Sequence, residues 1–381
     1  MPQMKTFDAS TLFISPLAAT PDVVDGLITQ GLNLFGGASK TGKSWLMLWI
    51  SLCVSQGKPV WEGIGTRQTG VLYLALEDTK RRLQRRILQL VDDPDEIPEN
   101  LQFAVMAGGI GDGLEEQIDS FMSNNPGTGL IIIDTLQKVR GAVDANTSSY
   151  ARDYQDMVAL KQLADHWGIA VVVVHHVRKQ IDRSDPFNAL TGSTGLTGAA
   201  DTMLVLLKKH REDDEATLYV TGRDVEDQKL LLSRTDMLWQ LEEYKDSKAL
   251  RLEKIPPYLF RFADFLSDKP AWSGRASDVL EAVGETETSV QVVKKHLLLY
   301  AQDVLEPRGI CFEEKRTGQA RLLVFHNENP QPRDADDDHD AGVSADALDA
   351  EAPGEDLTEP DAVTAPMTVE APVWAAAPVS S

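Results

Sequence analysis

The sequence predicts an α/β protein built on a mostly parallel sheet with helices on both faces. Three observations carry this expectation. Short aliphatic runs recur through the first 265 residues, Leu130–Ile133 and Ile169–Val174 among them, and strands buried on both faces read this way. Segments of helical periodicity alternate with them, as in Asp78–Val91 and Tyr150–Trp167, which points to strands joined by helical crossovers. A glycine-rich stretch, Gly37-Ala38-Ser39-Lys40-Thr41-Gly42-Lys43-Ser44, lies between one such strand and one such helix.

Taken in order, Leu32–Phe35 is predicted as a strand and Lys43 to about Val54 as the helix after the glycine loop. Val71–Leu76 reads as a buried strand. In the helix Asp78–Val91, Leu83, Ile87 and Leu90 share an apolar face and Arg81, Arg82, Arg85 and Arg86 fall elsewhere. Leu101–Met106 and Leu130–Ile133 are strands, Tyr150–Trp167 a helix, and Ile169–Val174 a β-branched strand. Met203–Leu207 and hairpin-like segments around Ala216–Val220 and Lys229–Leu232 complete a first domain, residues 1–265. Residues 244–270, with Pro256-Pro257, read as a bridge. A second domain, 266–326, has two helices and then two strands around Lys315-Arg316-Thr317-Gly318, a winged-helix-like layout. Beyond it, residues 327–381 are rich in Ala, Pro, Asp and Glu, too poor in large apolar side chains to fold alone, and are expected to be a disordered acidic tail.

The net charge of −22 over 381 residues is uneven. Fourteen acidic residues and a single arginine follow residue 326, so about −13 belongs to the tail. The rest is only mildly acidic, which leaves room for a local basic groove. No apolar run reaches the roughly 18 residues of a membrane span. The start, Met1-Pro2-Gln3-Met4-Lys5, lacks the layout of a signal peptide. Cys53 and Cys311 are far apart, which argues against a disulfide framework or a zinc site. These features predict a cytoplasmic protein with no membrane partner.

Gly37–Ser44 satisfies GxxxxGK[ST] in the strand–loop–helix context that the pattern requires. Its glycines let successive N–H groups face phosphates, and the helix N-terminus favours negative charge. Lys43 is expected to neutralise the β- and γ-phosphates of ATP, and the Ser44 hydroxyl to bind Mg²⁺. Asp134 ends an aliphatic strand and is the second expected Mg²⁺ residue. Glu77, in Leu74-Ala75-Leu76-Glu77-Asp78, is the candidate general base, with Asp78 or Thr79 capping the next helix. His176, in Val174-His175-His176-Val177-Arg178-Lys179, is a candidate γ-phosphate sensor, or else a structural histidine. Lys138, Arg140 and Arg152 flank a polar loop after Asp134. Arg178, Lys179 and Arg183 lead into a second, glycine-containing loop. The two could line a channel for DNA through Lys138, Arg140, Arg178, Lys179 and Arg183, or be ordinary solvated loops.

GGASKTGKSW (Gly36–Trp45), LYLALED (Leu72–Asp78), LIIIDT (Leu130–Thr135), VVHHVRK (Val173–Lys179) and GSTGLTGAADTMLVL (Gly192–Leu206) occur in an order that resembles the RepA-type hexameric helicase branch of the RecA-like P-loop ATPases. Lys40 inside the loop also looks like this branch. The resemblance, over residues 25–235, implies a RecA-like core, a hexameric ring with ATP between neighbours, and an arginine finger in trans, for which Arg223 in Val220-Thr221-Gly222-Arg223 stands at a suitable strand end. The C-terminal domain resembles the winged helix of some mobile-element ATPases. Ser289–Tyr300 would be its second helix, Lys294, Lys295 and His296 its basic groups, and Lys315, Arg316 and Arg321 its wing. Such modules take duplex DNA or another protein, here a replication protein. The resulting expectation is a DNA-dependent ATPase, a replicative helicase or helicase-like motor on single-stranded DNA. The alternative is an ATP-switched DNA-binding regulator that does not unwind. The tail is expected to compete with DNA for basic side chains.

Overall fold

Strand ends, rather than helices, organise the molecule. The computed structural model describes residues 6–16, 22–91, 93–141, 148–177, 185–190, 194–210, 212–316 and 321–331. Its first nine strands are β1 (Gly31–Gly37), β2 (Gly70–Ala75), β3 (Leu101–Ala104), β4 (Thr128–Asp134), β5 (Ala170–His176), β6 (Thr202–Leu207), β7 (Glu215–Gly222), β8 (Gln228–Thr235) and β9 (Leu238–Lys245). They form one sheet in the order β3-β2-β4-β5-β1-β6-β7-β8-β9. The pairings from β3 to β6 are parallel, and those from β6 to β9 antiparallel.

Alternation along the parallel strands divides the core in two. Phe35, Tyr73, Ile132 and Val172 face one side, and Leu34, Leu72, Ile131 and Val173 the other. The first side packs against α2 (Lys43–Gln56), which is buried nearly all round and ends on Gly57 at φ 71, whose N–H meets Cys53 and Val54 carbonyls. The second packs against α4 (Leu114–Asn124) and α6 (Ser149–Trp167). Both α4 and β9 escape the sequence reading. The first lies behind the glycines of 108–113, and the second carries Glu242 and Glu243 on a one-sided strand.

α3 spans Lys80–Leu90, and Thr79 rather than Asp78 caps it by accepting from Arg82 N. The short helices α1 (Ala9–Ile14), α5 (Leu136–Val139) and α7 (Thr194–Ala199) lie between these elements.

Residues read as a bridge are helical: α8 (Ser247–Glu253) and α9 (Pro257–Leu266). Tyr258, Leu259, Phe262 and Leu266 of α9 pack with β10 (Ala271–Gly274), α10 (Ala276–Ala282), α11 (Val290–Val304), β11 (Ile310–Arg316) and β12 (Arg321–Asn327) in a third core. Phe262 meets Trp272 and Phe325 edge to face. Its strands pair antiparallel as β10-β12-β11. The turn 317–320 and residues 332–381, where the acidic tail was expected, lie outside the described residues; Asn327 is buried and donates to the Leu266 and Ser267 carbonyls. Among the described residues no helix is long and apolar enough to cross a membrane.

Candidate active site

Four strand ends meet at the C-terminal edge of the parallel strands, where open α/β sheets take ligands. Register sets them side by side. Gly37 of β1 pairs with His176 of β5, Asp134 of β4 pairs with Val174 of β5, and Ala75 of β2 pairs with Asp134. Glu77 follows two residues after β2, in a turn held by Leu76 N to the Asp134 carbonyl at 2.9 Å and Asp78 N to the Ala75 carbonyl at 3.1 Å.

Lys43, the first residue of α2, folds back over the glycine loop. Its Nζ donates to the Gly37 carbonyl at 2.7 Å and the Ala38 carbonyl at 2.8 Å, and the residue is 5% exposed. Burial pushes it down to about 8, against the opposing charges of Asp134 and Glu77. Ser39 and Lys40 stand exposed on the loop, Lys40 at φ 66, while the Thr41 hydroxyl closes it onto the Ala38 carbonyl at 2.9 Å. Gly42 is required twice over. Its φ is +95°, and a Cβ there would come within 2.9 Å of Trp239 Nε1.

Asp134 is 4% exposed. Burial raises its pKa, and hydrogen bonds from Ser44 and Tyr73 and the charge of Lys43 oppose that rise. The Tyr73 hydroxyl donates to Asp134 Oδ2 at 2.9 Å. A buried carboxylate beside a serine hydroxyl is a hard-oxygen pair, and this donor set fits Mg²⁺. Glu77 is half-exposed, and the Thr135 hydroxyl donates to its Oε1 at 3.2 Å. His176 lies between: Nδ1 is 3.2 Å from Lys43 Nζ, and Nε2 is 3.9 Å from Glu77 Oε2. Burial first, and Lys43 second, lower its pKa, so the ring is neutral near pH 7. Because Nδ1 accepts from Lys43, the network assigns the proton to Nε2, facing Glu77.

Sequence reasoning missed Tyr73, Thr135 and Trp239. A tyrosine in a buried aliphatic strand signals a hydroxyl in need of a partner, and Thr135 directly follows Asp134. Trp239, 197 residues from Gly42, left no local signal.

The expected DNA side chains fare unevenly. Lys138 on α5 is exposed. Arg178, Lys179 and Arg183 lie outside the described residues. Arg140 is corrected: it is 12% exposed and turned inward, with Nη2 2.6 Å from Asp153 Oδ1 and Nε 3.1 Å from Asp156 Oδ2. The second contact is an ion pair without hydrogen-bond geometry. Arg140 therefore anchors α5 to α6 rather than facing a strand of DNA. Removing one partner of a buried ion pair leaves the other charge uncompensated, so Arg140→Met is expected to cost about 3 kcal/mol of stability in urea unfolding. An unchanged midpoint with weakened DNA binding would restore its surface role.

The same cluster gives an acid limit. Burial, then the Arg140 charge, push His175 down to about 4 from 6.5. The unfolded chain thus binds more protons between pH 6.5 and 4, and stability falls as pH drops through that window, by up to about 3 kcal/mol. His175→Gln is expected to flatten the loss; a curve parallel to wild type in pH-dependent unfolding would place the acid limit elsewhere.

Arg223 follows β7 at the opposite edge of the sheet. Its backbone N–H donates to the Asp201 carbonyl at 2.8 Å, and the Asp201 carboxylate accepts from Leu32 N at 2.8 Å. Its guanidinium, 58% exposed, rests on the Gly198 carbonyl and lies 3.6 Å from Asp201.

The family model described as AAA domain matches residues 3–182. No curated protein matches the chain. The solved structures similar to it include the ATPase domain of a helicase, 17% identical, covering 56% of this chain and 85% of that one at a TM-score of 0.45. They also include a DnaB-like replicative helicase, described with its interactions with primase, 16% identical, covering 57% and 60% at a TM-score of 0.47. The AAA-domain match, the strand order around β1 and the glycine loop facing Asp134 make the N-terminal part of this chain a RecA-like P-loop ATPase domain.

Proposed function

We propose that the chain is an ATP-driven, helicase-type motor on single-stranded DNA, working as a hexameric ring in the replication of a plasmid, phage or other mobile element. The observation that carries the ring is the place of Arg223. From Leu32 to Gly37 the strand β1 alone separates it from the loop by about 17 Å at ~3.3 Å per residue. Arg223 therefore cannot serve its own nucleotide, and it is exposed where a neighbour's site could receive it.

In this reading Lys43 leaves the Gly37 and Ala38 carbonyls for the β- and γ-phosphates of ATP. Ser44 and Asp134 would hold Mg²⁺, which when bound neutralises phosphate charge. Glu77 takes a proton from the attacking water, the water oxygen bonds to the γ-phosphorus, and the bond to the β-phosphate bridging oxygen breaks, giving ADP and phosphate. Neutral His176, in contact with both Lys43 and Glu77, would respond to the loss of the γ-phosphate and pass it to the loop carrying Arg178, Lys179 and Arg183. Lys138 would contact DNA.

The C-terminal helices and strands follow the order of a winged helix, and we read them as one. Two of the three basic groups on α11 are engaged internally, Lys294 with Glu314 and His296 with the Tyr258 hydroxyl at 3.1 Å. Leu298 and Leu299 on the same helix are 65% and 50% exposed. This supports a protein partner over duplex DNA, and so disfavours the regulator reading.

Strand displacement measured beside ATP turnover tests the proposal. Single-stranded DNA should stimulate turnover, and a forked duplex should be unwound. Nucleotide-dependent duplex binding with slow, unstimulated turnover would replace the motor by the switch. Arg223→Ala should lower turnover of the assembly by about 10³-fold, the usual worth of such a finger. Mixing it with Lys43→Ala should restore part of the rate, because each subunit supplies the half-site that the other lacks. Full activity of a monomeric Arg223→Ala protein would dissolve the shared site.

A further inference from the structure

Glu77 has little to hold its side chain: it is half-exposed, and the contacts of its carboxylate are a 3.2 Å bond from Thr135 and a 3.9 Å approach to His176. Its neighbour is the opposite. The Asp78 side chain is 7% exposed and takes two arginines of α3, Arg82 Nη1 at 2.9 Å and Arg86 Nη1 at 2.6 Å. Arg82 also donates to the Glu77 carbonyl at 3.2 Å. Arg86 stands 5.3 Å over the ring of Trp45, the residue after Ser44 in the first turn of α2. A buried carboxylate shared by two guanidiniums is a rigid joint, since each arginine offers a planar fork and the pair leaves neither charge alone.

We propose that Asp78, Arg82 and Arg86 are positioning residues that fix the Glu77 backbone relative to the first turn of α2, and so set where the general base stands against the γ-phosphate. The inference rests on the reading of Glu77 as the base. The joint runs from Ser44–Trp45 through Arg86 and Asp78 to Glu77. It ties the phosphate-binding helix to the base by a route that does not involve substrate. None of the three side chains needs to touch ATP.

The test is steady-state ATPase kinetics with nucleotide binding and thermal melts on the full chain. Asp78→Asn and Arg86→Gln should lower kcat by about tenfold to a hundredfold, the scale of an ångström-sized misplacement. KM for ATP and nucleotide affinity should stay within about threefold, because the phosphate loop is untouched. Arg86→Lys, which keeps the charge but not the planar fork over Trp45, should recover part of the rate. The decisive arm repeats the variants in a Glu77→Gln background. Residues that act only through Glu77 cost nothing more there, whereas general loosening costs the same in both. If Asp78→Asn fails to fold, Arg82→Gln, 54% exposed, removes the bonds to Asp78 and to the Glu77 carbonyl at small structural risk. Wild-type kcat in the folded variants, or equal losses in the two backgrounds, would overturn the positioning. Near-normal turnover of Glu77→Gln alone would instead overturn the assignment of the base, and the proposal with it.

Discussion

Alanine at Lys43 will give a folded protein whose ATP turnover falls by at least about 10²-fold, the usual cost of removing a positioned charge-stabilising donor. The ammonium sits at the hinge of the loop, bonded to the Gly37 and Ala38 carbonyls and in contact with His176. Lys40 does not share that position; it is exposed on the outer side of the loop. Folding should survive, because two effects offset each other. The two carbonyls lose a donor, at about 1–3 kcal/mol if water does not replace it. At the same time the cost of keeping a charge in a buried place disappears, the cost that pushes Lys43 down to about 8. Phosphate release and a thermal melt on the purified variant check both halves. Near-normal release would remove the central assignment of the site.

Glutamine at Glu77 will keep nucleotide and hydrolyse it about 10²-fold or more slowly, since an amide has the shape of the carboxylate without its basicity. The surroundings accept the change. The amide can turn its oxygen towards the Nε2 proton of His176, while the Thr135 hydroxyl accepts from the amide nitrogen. The binding side of the site, Lys43 with Ser44 and Asp134, is untouched. Nucleotide affinity should therefore stay close to wild type while single-turnover hydrolysis collapses. A rate within about threefold of wild type would place the base elsewhere.

How far the sequence carried depended on whether the cause was local. The glycine loop, the strand ending in Asp134 and the helix capped by Thr79 each announce themselves within a few residues, and each stands where it was expected. Arg140 did not, because its partners Asp153 and Asp156 lie on α6, and no spacing rule tells an arginine aimed at solvent from one aimed at two carboxylates. Tyr73 and Trp239 became part of the site through packing across the sheet. The prolines at 256 and 257 suggested a break, but Pro257 is the first residue of α9, where a missing N–H costs nothing and the fixed φ favours the turn.

The central place of β1 has a consequence during synthesis. Its two partners are β5, which starts about 140 residues later in the chain, and β6, about 170 residues later. At translation speeds of ~5–20 residues per second, Gly31–Gly37 waits on the order of 10–30 s for its first neighbour. Through that interval Leu32, Leu34 and Phe35 form an unpaired apolar strand followed at once by a glycine loop that cannot yet close on Trp239. Such strands pair readily with other chains. The nascent polypeptide is thus most exposed to aggregation before residue 170 is made, and the hazard is set by the order in which the ribosome delivers strands rather than by the stability of the finished sheet.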